Sequence, residues 1–258
     1  MFGEEGEHGA FSPEERSRLV YLAVRRSRVP ILVGVGSPAL EVSAGLARDA
    51  ADAGAAGVLV PPPLFQRCDT DDLTEFYTQF AKLAGPGNPI LIYRTLASTS
   101  EIPVETALQL LETDLFAGID DAGADPQSFG CLKAIAPDRP FELLGGADTL
   151  FLEARLAGYP AVSALGCAVP ELAVALDRAV GRGAQAEIDR LAGLFREFFD
   201  WVARFPPQVI VKTAAGLRGL KTGPLPVPLP CAKQKLLEEF RNWFRSWLPF
   251  VKSLSAHA

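Results

Sequence analysis

Histidine is almost missing from this chain. Of its 258 residues only His8 and His257 carry an imidazole, both near the ends. A histidine-based catalytic triad or a multi-histidine metal site therefore has no material to be built from. Cysteine is scarce too: Cys68, Cys131, Cys167 and Cys231 lie far apart with no C-x-x-C. That spacing argues against a disulfide framework or a zinc knuckle and reads as four reduced thiols in a cytoplasmic protein. No apolar run approaches the ~18 residues of a membrane span. Met1 to His8 is acidic and has no apolar stretch, so it does not read as a secretory leader. Basic clusters are absent as well. Lys and Arg total 25 against 31 Asp and Glu, for a net charge of -6. The two signs are interspersed, which excludes a nucleic-acid stripe or an anionic-membrane surface and leaves a small molecule as the expected partner.

What is present is a hydrophobic fraction of 48%, enough for one large core, and α/β barrels commonly fill ~200–250 residues as one domain. Six short apolar runs read as buried strands: 30–36, 57–60, 89–93, 116–119, 141–144 and 161–165. They are continuous rather than alternating, as expected of strands covered on both faces. Helical patterns separate them. Ser12-Pro13-Glu14-Glu15 is a capping box with proline at the first helical position, and Ser37-Pro38 and Asp125-Pro126 repeat the cap-then-proline device. Gly54, Gly85 and Gly158 stand where helices should stop. Repeated β-then-α units imply a parallel sheet with right-handed crossovers. From Pro170 onward the pattern is helical, with stretches at 170–180, 184–204 and 208–217. A proline-rich linker follows at 224–230, then an amphipathic helix over roughly 233–247. The expected organisation is a barrel over 1–180 and a C-terminal helical extension over 181–258.

Six segments, in order, resemble the dihydrodipicolinate synthase/N-acetylneuraminate lyase family. Gly3-Glu4-Glu5-Gly6-Glu7 with Ser12 to Arg16 is similar to its G-T-T-G-E segment and S-x-E-E-R helix start. Ile31 to Gly36 resembles its V-I-A-G-V-G strand, and Ile92-Tyr93 its strand ending in Y-N-x-P. Gly118-Ile119-Asp120-Asp121-Ala122-Gly123 resembles G-I-K-[DE]-x-[ST]-G, Leu144 to Asp148 the S-G-x-D turn, and Val211 to Leu217 the P-V-K-x-A-L-x-x-x-G helix. The resemblance implies a TIM (β/α)8-type barrel, an aldolase-type lyase without a cofactor, and a homo-dimer or homo-tetramer. In that family a first strand, a first helix and a second strand precede the G-T-T-G-E segment. The expectation is thus a barrel incomplete at its N-terminus.

The same resemblance exposes a departure. The family lysine that forms a Schiff base with pyruvate corresponds to Asp120, and a carboxylate cannot form an imine. Tyr93 matches the tyrosine that shuttles protons, and a phenol can donate and accept in one site. It reads equally as a packing residue at a strand end. The threonines that hold pyruvate become Glu4 and Glu5, which would repel an anion. The tyrosine pair after the fourth strand becomes Leu64-Phe65, and the arginine of the synthases becomes Ser98. Arg94 reads either as a substitute anion contact or as a solvated loop arginine. Thr99 and Ser163 complete the expected substrate-binding set with Glu4, Glu5 and Arg94, while Tyr93 and Asp120 hold the catalytic positions. Convergence of Glu4, Glu5, Asp120, Asp121 and Asp148 on a divalent cation competes with a reading in which Asp121 and Asp148 only cap helices and Glu4 and Glu5 are exposed, and no metal is expected. Three readings of function stay open: an oxo-acid-type lyase without an imine, a non-catalytic barrel that serves as a binding or sensor module or as the partner of an active paralogue, and the non-functional product of a truncated or decayed gene.

Overall fold

The computed structural model describes residues 1–3, 6–95, 100–123, 125–225 and 227–254. The chain divides into two compact units. One comprises Met1–Leu150 with Tyr159–Ala161, the other Phe151–Gly158 with Val162–Ala258. The expected boundary at 180/181 would separate two helices that pack together within the second unit, α7 (Pro170–Gly181) and α8 (Gln185–Val202).

The first unit holds a five-stranded parallel sheet in sequence order: β1 (Leu32–Gly34), β2 (Gly57–Val60), β3 (Ile90–Thr95), β4 (Gly118–Ala122) and β5 (Glu142–Gly145). Helices α1 (Pro13–Arg26), α2 (Leu40–Ala53), α3 (Thr70–Ala84), α4 (Val104–Leu111) and α5 (Pro126–Ile135) alternate with the strands. Every residue of β2 is buried, which is why the strands read as unbroken apolar runs. Beyond β1, the Met1 amine donates to the Leu32 carbonyl at 2.6 Å and the Gly34 amide donates to the Met1 carbonyl at 2.7 Å. A Cβ at Gly34 would stand 2.1 Å from the Phe2 carbonyl oxygen, so this close approach requires glycine.

The sixth expected strand, 161–165, is not formed. Only Ala161 pairs, bridging in parallel to Gly145. The chain then turns into a 3-10 segment at Ala164–Cys167, with the Gly166 amide donating to the Ser163 carbonyl. A turn at Gly166 takes up the backbone groups that a longer ladder would have used.

Helix starts follow side-chain chemistry. Ser12 and Glu15 form the reciprocal capping box of α1, and Asp125 accepts from the Gln127 and Ser128 amides to start α5. A box of the same kind, Asp69 with Asp72, starts α3. Ser37-Pro38 does not cap α2. Its hydroxyl accepts from the Ala39 amide at 3.3 Å in a turn, and the helix starts at Leu40 without a side-chain cap. Gly54 ends α2 in the left-handed region at φ 85°.

The second unit is helical: α6 (Phe151–Leu156), α7, α8, α9 (Pro207–Leu217) and α10 (Cys231–Ser253). Phe198 of α8 packs among Phe240, Trp243, Phe244 and Trp247 of α10 with ring centroids 5.9–6.5 Å apart. Arg218, just past α9, donates to both Glu171 carboxylate oxygens at 2.8 and 2.6 Å and to the Ala168 carbonyl at 2.9 Å, tying the end of α9 to the start of α7.

Candidate functional site

The site expected from sequence falls at the C-terminal ends of β3 and β4, where the register sets Tyr93 beside Asp120 and Arg94 beside Asp121. Strand side chains alternate between faces, so each strand sends one of these residues to either side. Tyr93 and Asp120 share one side, Arg94 and Asp121 the other.

Tyr93 is half-buried, and its hydroxyl stands 3.7 Å from where a Cβ on Gly3 would be, over the N-terminal segment. Asp120 is 1% exposed. Its carboxylate fills the space beside Gly146, where a Cβ would come within 1.9 Å of Asp120 Oδ1. Gly146 is held in that position by its amide, which donates to the Asp121 carbonyl at 2.8 Å. No lysine lies on β1 to β5. Lys82, Lys133, Lys212, Lys233, Lys235 and Lys252 are on helices, and Lys221 is on a connection.

On the opposite side a charged network is buried. Arg94 is 3% exposed and Asp121 0%. Arg94 Nη1 donates to Asp121 Oδ1 at 2.8 Å, and its Nε donates to the Ile102 carbonyl at 2.9 Å. Its Nη2 donates to Glu101 Oε1 at 2.8 Å and to Ser128 Oγ at 3.2 Å. Burial pushes the Asp121 carboxyl above the ordinary range, and the Arg94 guanidinium opposes that rise. Asp121 Oδ2 has no hydrogen-bond partner among the described residues. Asp125, which caps α5 and accepts from the Ser128 hydroxyl, is held below the ordinary range, chiefly by that hydroxyl. Both readings of Arg94 are thereby corrected. It lies in strand β3 and not in a loop, and its charge is committed to Asp121 and Glu101 instead of being offered to an anion or to solvent.

This network was missed in sequence because Arg94 and Asp121 are 27 residues apart. The available signal was opposite charges at equivalent positions of neighbouring strands, one residue past the Tyr93–Asp120 pair. Glu4, Glu5 and Thr99 lie outside the described residues. Ser163 belongs to the second unit, where it precedes the 3-10 segment and is not within a strand. Among the described residues no three of His, Cys, Asp and Glu group so as to hold a metal ion. No helix there is long and apolar enough to cross a membrane.

Comparison with known proteins places these features in a family. The chain is 33% identical over 233 residues to an uncharacterized DapA-like lyase of Halobacterium salinarum, covering 88% of this chain and 75% of the relative. It is 33% identical over 238 residues to a Streptomyces coelicolor protein named "Probable 5-dehydro-4-deoxyglucarate dehydratase 1", covering 87% and 73%. Among solved structures, the 4-hydroxy-tetrahydrodipicolinate synthase of Methylacidiphilum fumariolicum SolV superposes with a TM-score of 0.82 at 26% identity, covering 98% of this chain and 86% of the other. The fold is the TIM (β/α)8 type. The model of the Dihydrodipicolinate synthetase family matches residues 1–245, and the chain belongs to that family.

Proposed function

We propose that this chain is a small-molecule lyase of the oxo-acid type that works without a pyruvate Schiff base. The observation that carries the reading is Asp120, a carboxylate beside Tyr93 in the strand register, at the position where the resemblance puts the imine lysine. A carboxylate carries no amine nitrogen, so it cannot form an imine and the covalent electron sink is lost. Two groups remain for acid–base work. The Asp120 carboxylate can accept a proton, and the Tyr93 phenol can donate one to a departing hydroxyl. Between them these steps suffice for an elimination that releases water. Asp120 also selects against pyruvate itself: two unit charges ~4 Å apart at an effective dielectric constant of ~20 repel by about 4 kcal/mol. The names of the 33%-identical relatives, a lyase and a dehydratase, support the reaction class. Cytoplasmic residence and a homo-dimeric or homo-tetrameric state belong to the same reading.

A second reading has its own support. Asp120 is only 1% exposed and rests against Gly146, an arrangement suited to a barrel that binds a ligand or a paralogue without catalysis. Incubation with pyruvate, borohydride reduction and intact-mass measurement test the loss of the imine. The expected result is an unchanged mass, and an adduct of pyruvate on any lysine overturns the proposal. The two readings separate on Asp120→Ala. If Asp120 acts on a ligand, the variant weakens binding of a screened hydroxylated or cationic small molecule and leaves the fold intact. A raised melting temperature with unchanged affinity favours the non-catalytic barrel.

A further inference from the structure

Two costly features of the first unit meet beside Tyr93. The first is Arg16 of α1. It is 5% exposed, yet no carboxylate pairs with it among the described residues. Its Nη1 donates to the Gly36 carbonyl and its Nη2 to the Gly34 carbonyl, both at 2.8 Å, and its Nε has no hydrogen-bond partner. Burial pulls its pKa down to about 10. A buried guanidinium without a counter-charge is expensive, and its orphaned donor calls for a role. The second is Phe2. It is 7% exposed and has φ 57°, in the left-handed region that so bulky a residue avoids. Strain of this kind persists only where the surroundings over-determine the backbone. Here they do. The Arg16 guanidinium carbon lies over the Phe2 ring, 5.3 Å from its centre, and Phe11 meets that ring edge-on at 5.8 Å. The Phe2 carbonyl fills the space that Gly34 leaves by having no Cβ. The next residue is Gly3, and the Tyr93 hydroxyl rests against it, 3.7 Å from where a Cβ would stand. His8 hydrogen-bonds to the Gly3 backbone as well. Arg16 therefore joins the end of β1 to the strained segment that backs the Tyr93 phenol.

We propose that Arg16 is a positioning residue for the Tyr93 phenol, acting through Phe2 and Gly3. The proposal rests on the acid–base reading above, in which that phenol donates a proton. The planar fork suits the task, because two nitrogens fixed in one plane hold two carbonyls at once while the same plane covers an aromatic ring. A proton donor must keep hydrogen-bond geometry to the group it serves, and a wall held in a strained conformation sets that geometry before a ligand arrives.

The test is fluorine NMR of the intact chain labelled with 3-fluorotyrosine. The chain has four tyrosines, and Tyr93→Phe and Tyr77→Phe assign the two lines that matter. Arg16→Met keeps the aliphatic stem and loses the fork, while Phe2→Leu keeps an apolar side chain and loses the ring. In both variants the Tyr93 line is expected to shift and to broaden or split. The line of Tyr77, fully buried and donating to the Val60 carbonyl at 3.0 Å, should stay in place. Circular dichroism verifies that each variant is folded, and if Arg16→Met does not fold, Phe2→Leu alone decides. A Tyr93 line that keeps its position and width in a folded variant overturns the proposal. So does equal movement of the Tyr93 and Tyr77 lines, which marks a general loosening and not a positioning role. The spectra are taken without ligand, so they fail or succeed independently of pyruvate trapping and of ligand binding by Asp120→Ala.

Discussion

Arg94 and Asp121 show how a single residue pair can decide the behaviour of a strand end. Asp121 is fully buried and accepts from Arg94 and, at 3.3 Å, from the Gly123 amide. Gly123 is itself confined, since a Cβ there would meet Arg94 Nη1 at 2.7 Å. Removing the guanidinium leaves a buried carboxylate without its counter-charge. Arg94→Met is therefore expected to cost about 3–5 kcal/mol at neutral pH. The sign of its pH dependence follows from the raised Asp121 pKa. The native state holds the proton more tightly than the unfolded chain, so stability falls as pH rises from the unfolded carboxylate range through the native value. Without Arg94 the native value rises further, and the deficit grows as pH rises from about 4. Urea unfolding of both proteins at acidic and neutral pH checks this. A deficit equal at all pH values would show that packing and neutral hydrogen bonds, not the ion pair, account for the effect. Arg94 was legible only as a residue near the tyrosine, because its burial depends on β4, Ile102 and Ser128 arriving from elsewhere in the chain.

At the scale of elements, the helix starts were the most readable features. Ser12 and Asp125 cap the helices their neighbours announce, since the donors they satisfy lie within three residues. Ser37-Pro38 carried the same signal and made a turn instead. The run at 161–165 had strand composition and formed one bridge. Elements held by distant partners left no such local mark. Arg218 at the end of α9 grips Glu171 at the start of α7 across 47 residues, each side chain 17% exposed. The Arg218 hydrogen bond depresses the Glu171 pKa. Its stabilising contribution is thus complete above the unfolded carboxylate value and is lost as pH falls through the lower native one. Glu171→Gln should destabilise by about 1–2 kcal/mol at neutral pH, and the difference should close in acid. Chemical denaturation at pH 7 and at about pH 2 reads it directly, and a difference that widens in acid would contradict the assignment.

For the whole molecule, the family resemblance anticipated the fold, and it leads to an expectation of assembly. Apolar side chains remain exposed on the first unit: Leu19 and Tyr21 on α1 at 36% and 47%, and Val29 beyond it at 68%. Exposed apolar side chains can mark contact surfaces. The expected state at micromolar concentration is a dimer or tetramer, measured by light scattering with size exclusion. A monodisperse monomer would refute it, and Tyr21→Glu should shift an oligomer that uses Tyr21 toward monomer.

Sequence by itself determined the parallel β/α order, most helix limits and the family. These rest on periodicity, on caps a few residues wide and on motifs, all of which act over short stretches of chain. Only the tertiary structure decided that Arg94 is an internal counter-ion and not an anion contact, and that Asp120 lies against Gly146. It also decided that Ser163 sits outside the sheet. Each of these depends on which distant groups share a low-dielectric space, and burial and charge pairing there are set by the packing of elements far apart in the chain.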